Sequence, residues 1–191
     1  MPLLRMRNAT FASGTTFVGP VSLELSQGEH TALHCGGAQE AAIVALLATG
    51  IVKASSGCVL IDDYDPHVQS VHCKRIAGLV PHEPFLLDES EFDRYVAYRA
   101  ALWGIELRRA QTHAALLRRR LSGMHESFAY PLIATLIGMP RLIVLDRPQP
   151  AYAPLIFGVV GRRGVLSTHT DASAARAFCP SGPTQLQATQ A

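Results

Sequence analysis

Arg141-Leu-Ile-Val-Leu-Asp146-Arg147-Pro148 sets the frame for the rest of the chain. Four consecutive apolar residues stop at an aspartate, and a proline closes the segment two positions later. A run without polar alternation is the pattern of a strand buried on both faces, as in the middle of a parallel sheet covered by helices. An acidic side chain at the carboxyl end of such a strand lies where open α/β sheets take their ligands. Alone, the run reads first as a core strand ending in a solvated aspartate. Two other segments give it more meaning: Leu121-Ser122-Gly123, read at a helix start, and Ser167-Thr168-His169, read at another strand end.

At 191 residues, with 48% hydrophobic and 17% charged side chains, the chain can bury one substantial core with a small subdomain. The net charge of +2 is too small to argue for nucleic acid or an anionic membrane. Arg118-Arg119-Arg120 reads as a solvated helix face. Cys35, Cys58, Cys73 and Cys179 form no Cys-x-x-Cys pair, which gives little support to a metal site or a disulfide framework. His67, His72 and Cys73 read as ordinary surface or loop residues. The first residues carry no secretory signal, and the most apolar window, residues 41–52, is shorter than the ~20 residues a bilayer needs. The expectation is a cytoplasmic protein, with attachment at the inner face of a membrane as a further option.

Working outward, residues 3–11 and 18–25 read as two strands joined by a turn containing Gly14. Val21, Leu23 and Leu25 alternate with Ser22 and Glu24. A short strand over residues 30–34 leads into Cys35-Gly36-Gly37, and strong helix formers run from Gln39 to Thr49 before Gly50. Strand, glycine-rich loop and helix in this order are the layout of a phosphate-binding loop. Residues 55–57 read as a turn into a strand over 58–61, and residues 75–80 as another strand stopped by Pro81-His82-Glu83-Pro84. Residues 92–117 read as helical, divided at Gly104. Ser122 is expected to cap a helix reaching Ile137, with a kink or break at Pro131. Pro148, Pro150 and Pro154 are expected to prevent regular structure until about Leu155. A strand over 165–168 and a helix over 172–178 follow, and the polar residues from Pro180 read as a disordered tail.

In this order the segments resemble the nucleotide-binding domain of ATP-binding cassette (ABC) proteins over residues 4–171. The residues that carry the resemblance are 55–62, Ile76 to Pro81 with His82 at the family's glutamine, Leu121-Ser122-Gly123, Leu142 to Pro148, and Ser167-Thr168-His169. The resemblance implies an α/β, three-layer, P-loop NTPase-like cassette with an N-terminal β subdomain and a helical subdomain. Residues 1–85 would begin the core, 86–135 form the helical signature subdomain, 136–179 complete a shortened core, and 180–191 form the tail.

Departures from the family pattern fall on the chemistry. The phosphate-binding loop would run Cys35-Gly36-Gly37-Ala38-Gln39-Glu40-Ala41-Ala42. Ala41 stands where a lysine reaches phosphates, and Ala42 where a hydroxyl holds magnesium. Glu40 suits the helix dipole but repels a phosphate at the same place. The ring that stacks on adenine would fall near Ser13. Asp146 keeps the magnesium-linked carboxylate, so it is the metal residue should Mg-ATP bind; Arg147 replaces the water-activating glutamate. Met124 and His125 replace the second glycine and the glutamine of the signature. His169 is retained where the family touches a γ-phosphate, and reads equally as a histidine with only a hydrogen-bonding role. The interval from Asp146 to His169 is shorter than the family's, which puts the interface contact of residues 149–154 in doubt.

The resemblance therefore implies a degenerate cassette subunit of a transporter, with no cofactor of its own and Mg-ATP met only through a partner. Its partners would be an intact ABC ATPase, in a heterodimer, and a membrane-spanning subunit; no nucleic acid is expected. In the family, cassettes pair head to tail, and Ser122 and Gly123 would complete the partner's phosphate site. A divergent but functional ATPase and a purely structural interaction domain are the alternatives.

Overall fold

A computed structural model describes residues 1–82, 89–179 and 184–185, with the side chains of 89, 184 and 185 outside the description. β1 (Leu4–Ser13) pairs antiparallel with β2 (Thr16–Leu25) and with β4 (Ser56–Ile61), giving a three-stranded sheet in the order β2-β1-β4. β3 (His30–His34), β5 (Ala77–Val80), β6 (Leu142–Asp146), β7 (Gly164–His169) and β8 (Thr184–Gln185) form a parallel sheet in the order β5-β6-β7-β3-β8.

β6 is the centre of the architecture. All five of its residues are buried, and its side chains alternate between two cores. Leu142 and Val144 join a cluster with Leu33, Leu166, α1 (Ala38–Ala48) and the antiparallel sheet. Ile143 and Leu145 join a cluster with the helices of the other face. Each such side chain, fully withdrawn from water, contributes on the order of 2 kcal/mol. α1 touches both β6 and β7 on one side and β1 and β2 on the other, so it fills the space between the sheets. Its buried residues Ala41, Val44, Ala45, Leu47 and Ala48 cover roughly 160° of its circumference at 100° per residue, one broad apolar face. The chain is thus an α/β cassette of the P-loop NTPase-like kind, in layers.

Opposite α1, α3 (Glu89–Trp103) and α4 (Leu107–Arg120) separate at Gly104, whose φ of +65° a glycine adopts without strain, and pack with α5 (Glu126–Ile137). Arg118 lies over the rings of Phe92 and Tyr130 and closes the gap between these helices.

Several local expectations are corrected. Residues 75–80 are not one strand: α2 (Ser70–Ile76) runs directly into β5. Cys73 and Ile76, one turn apart on α2, are buried, so Cys73 is a core residue and not a surface one. Residues 55–57 do not form a turn; β4 starts at Ser56, and Gly57 (φ +73°) lies against the Asn8 carbonyl, where β1 bulges. A Cβ there would collide with backbone.

Ser122 does not cap α5. The helix starts three residues later than that reading needs, at Glu126, with His125 as its cap. Pro131 interrupts nothing: it lies at the sixth residue of an unbroken α5 and removes only the bond its own N–H would have made to residue 127. The prolines after β6 do not prevent helix either. Pro150 opens a 3-10 turn over Pro150–Tyr152, and Pro154 sits in the first turn of α6 (Ala153–Val160), where a missing N–H costs nothing. α7 (Ala172–Phe178) is capped by Asp171, which accepts from the Ser173 and Ala174 N–H groups. In the expected tail Thr184–Gln185 pair with Leu33 and His34; the rest of 180–191, like residues 83–88, lies outside the described residues.

Candidate functional site

The carboxyl ends of β3, β6 and β7 converge. Cys35, the first residue past β3, donates its N–H to the His169 carbonyl at 2.7 Å, and Asp146 is in register with Thr168. Two of the three segments singled out in the sequence, Asp146 and Ser167-Thr168-His169, are therefore joined. The third, Ser122-Gly123, is exposed in the turn between α4 and α5 and lines no part of the cavity at Asp146.

The loop is formed as its glycines suggest. Gly37 is extended (φ −170°) and caps α1, and Ala38 starts the helix. What differs is the occupant. Glu40, in the first turn of α1, folds back so that its carboxylate accepts the Gly36 N–H. That is the kind of backbone donor a phosphate oxygen takes at a helix N-terminus, and a carboxylate is favoured there by the same dipole. Gln39 Nε2 donates to the Thr16 hydroxyl at 3.1 Å, which ties the loop to the antiparallel sheet. Beside this contact a cavity of about 430 Å³ is lined by Thr15, Phe17, Gly36, Gly37 and Glu40, among others. Phe17, 58% exposed, is the aromatic beside the loop, and Ser13 offers no ring; the sequence reading missed Phe17 because it falls on the opposite strand of the hairpin.

Asp146 is 5% exposed and fully engaged. Arg147 Nε donates to its Oδ1 at 2.9 Å, a terminal nitrogen of Arg147 donates to Oδ2 at 3.1 Å, and the Thr168 hydroxyl donates to Oδ1 at 3.2 Å. Neighbouring residues in an extended strand point to opposite faces. Here Arg147 leaves the strand with φ +48°, its N–H held by the Thr168 carbonyl at 2.9 Å, and this turn brings its guanidinium back onto Asp146. His82 Nδ1 donates to the Arg147 carbonyl at 3.1 Å. Ala38, Ala42, Leu79, Pro81, His82, Asp146 and Arg147 line a cavity of about 370 Å³.

His169 is 2% exposed; its Nε2 shares a hydrogen bond of 2.9 Å with the Ser167 hydroxyl, and its ring packs 5.0 Å from that of Phe178. Burial, outweighing the Asp146 and Asp171 carboxylates, pushes its pKa down to about 4, so it is neutral at pH 7. Cys35, 1% exposed, has its thiol pushed up to about 12, first by burial and then by the Glu40 carboxylate. It is no nucleophile.

The resemblance noted in the sequence implies magnesium with a nucleotide at this place, held by a lysine, a hydroxyl, loop N–H groups and the Asp146 carboxylate. The donor set here does not fit it. Ala41 offers no ammonium and Ala42 no hydroxyl, the Gly36 N–H is taken by Glu40, and both oxygens of Asp146 are taken by Arg147. Among the described residues no group of three His, Cys, Asp or Glu side chains is arranged to hold another metal ion.

No protein-family model and no curated protein matches the sequence. Solved structures do match in fold. An ATP-binding subunit of an ABC transporter superposes with a TM-score of 0.75 at 16% identity, over 93% of this chain and 83% of that one. CbiO1 from Clostridium perfringens, part of the CbiONQ ABC transporter complex, gives 0.73 at 15%, over 93% and 82%. A bacterial ABC transporter cassette solved as a dimer gives 0.69 at 16%, over 96% and 94%. These likenesses establish the shared fold. Among the described residues no helix is long and apolar enough to cross a membrane.

Proposed function

We propose that this chain is a degenerate ABC-type cassette that neither binds nor hydrolyses ATP alone and acts beside an intact ATPase of a membrane transporter. One observation carries the reading: the two places that would hold phosphate and magnesium are filled from within. The Glu40 carboxylate occupies a loop N–H and the Arg147 guanidinium covers Asp146. A bidentate arginine is a fixed pair of donors, and it neutralises a carboxylate without needing a metal. The chain keeps the cassette's shape while its polar groups satisfy one another.

The family role left to such a subunit is to face a partner's nucleotide through Ser122 and Gly123, which are both exposed. The start of α5 at Glu126 favours a second reading, a purely structural interaction domain, because the cap of that helix is His125, three residues beyond Ser122, and its ring already takes the Ser127 N–H. Co-purification with an intact cassette and a membrane-spanning subunit encoded nearby, then ATPase assay with wild type and Ser122→Arg, separates the two. The partner-completing role predicts a complex whose turnover falls at least tenfold with Ser122→Arg. An unchanged rate in a verified complex leaves the structural role, and hydrolysis by this chain alone refutes both.

A further inference from the structure

Away from the loop, the outer face of α4 concentrates positive charge that the nucleotide reading does not use. The helix, Leu-Arg-Arg-Ala-Gln-Thr-His-Ala-Ala-Leu-Leu-Arg-Arg-Arg, carries five arginines and no carboxylate. Ala110, Ala114 and Leu117 turn inward. At 100° per residue, Arg109, His113, Leu116 and Arg120 then form one stripe about 16 Å long on a flank roughly 95° from the buried row, and Arg108 and Arg119 lie roughly 100° further round, on the side opposite the buried row, so that one exposed sector of the helix carries both.

A second element reinforces the stripe. Arg163, in the turn after α6, is fixed by donating to the Pro140 and Val160 carbonyls, each at 2.9 Å, and lies near His113. After burial, the groups that hold the His113 pKa down are Arg163, Arg109 and Arg120, all cations. Arg162 is exposed beside Arg163. Among the described residues Arg108, Arg109, Arg119, Arg120 and Arg162 make no ion pair. With a net charge of only +2 on the whole chain, this is a one-sided distribution and not a general basicity.

We propose that this face is an adsorption surface for an anionic lipid bilayer. Its residues line neither of the cavities described above. Its one ring is the half-buried His113 imidazole, and α4 carries no Phe or Tyr, nor a Trp, on which successive bases could stack. It does present Leu116, 45% exposed and midway along the arginines, as an apolar contact at headgroup level. Each arginine brought to an anionic membrane surface strengthens partitioning about fivefold. The inference needs neither ATP nor a partner subunit.

The test is sedimentation of the full chain with vesicles of phosphatidylcholine containing about 30% phosphatidylserine, against pure phosphatidylcholine, at low and high salt. Binding to the anionic vesicles only, lost at high salt, is expected. Arg109→Gln/Arg120→Gln should weaken it about 25-fold, and Arg108→Gln/Arg119→Gln by a similar factor, since two fivefold contributions are removed. Lys53→Gln/Lys74→Gln, which removes as much charge from another exposed region, should leave it within about twofold. Circular dichroism checks that each variant is folded. No binding to anionic vesicles, or equal losses in the lysine control, overturns the proposal. Tighter binding to a duplex DNA that depends on the same arginines also overturns it, and assigns the face to nucleic acid.

Discussion

Replacing Arg147 by alanine strips the Asp146 carboxylate of two of its three side-chain donors and leaves it 5% exposed with the Thr168 hydroxyl. Removing one partner of a buried ion pair costs about 3–5 kcal/mol, because the remaining charge has lost both its water and its counter-ion. This pair is at a strand end, and the Arg147 side chain is itself 19% exposed, so water can enter the vacated volume and rehydrate one carboxylate oxygen. The expected loss is therefore about 2–3 kcal/mol, a large share of the 5–15 kcal/mol that stabilises a typical domain. Arg147→Lys keeps the charge but loses the two-point geometry, and should cost roughly half as much. The assay is equilibrium unfolding in urea, followed by circular dichroism and by the fluorescence of Trp103, the sole tryptophan. The informative comparison is the double variant Asp146→Asn/Arg147→Ala, which should be more stable than Arg147→Ala because no unpaired charge remains. A loss below about 0.5 kcal/mol for Arg147→Ala, or strict additivity in the cycle, would show that the pair does not hold this strand end.

Other expectations follow from the same geometry. The isolated chain should show no thermal shift with millimolar Mg-ATP; protection of even ~1 kcal/mol would imply a Kd well below that concentration and contradict the proposed function. Arg147→Glu alone should restore no hydrolysis, since an activating carboxylate works only on water placed against a bound phosphate; phosphate release above an Asp146→Ala control would show otherwise. His169 binds its proton near pH 4 when folded and near 6.5 when unfolded, so between these values the unfolded chain holds more protons. Stability should thus be unaffected by His169 above about pH 6.5 and fall by up to about 3 kcal/mol as pH drops to about 4, and a His169→Gln variant should flatten that slope in urea melts at several pH values. Thiol labelling of the native chain should modify Cys58, which is exposed, and spare Cys35, Cys73 and Cys179, which are buried; labelling of Cys35 without denaturant would contradict the packing of the loop.

The sequence alone determined the elements whose signal is local. The unbroken apolar run of residues 142–145 required a strand with two covered faces, and its side chains do divide between two cores. Alternation in residues 21–25, the glycines before α1 and the break at Gly104 were legible for the same reason: period and backbone freedom are properties of neighbouring residues. Short helices were not. α2 ends at Ile76 and β5 starts at the next residue, Ala77, neither of them a glycine or proline that would mark the change, and the prolines at 150 and 154 fit helix starts as well as loops. The site was legible as a list of substitutions, with Glu40 and Arg147 standing where other chemistry is usual, but not as an arrangement. That Glu40 folds back on Gly36, that a positive φ returns Arg147 to Asp146, and that His169 turns inward to Ser167 depend on three strand ends meeting across more than a hundred residues of chain. Likewise only the packed helices decided that Ser122 lies in a turn and His125 caps α5, because Tyr152, 27 positions away, takes the His125 N–H at 3.2 Å. Periodicity fixes which face of an element is buried, whereas the partner of a polar group is set by whatever the fold brings to its hydrogen-bonding atoms.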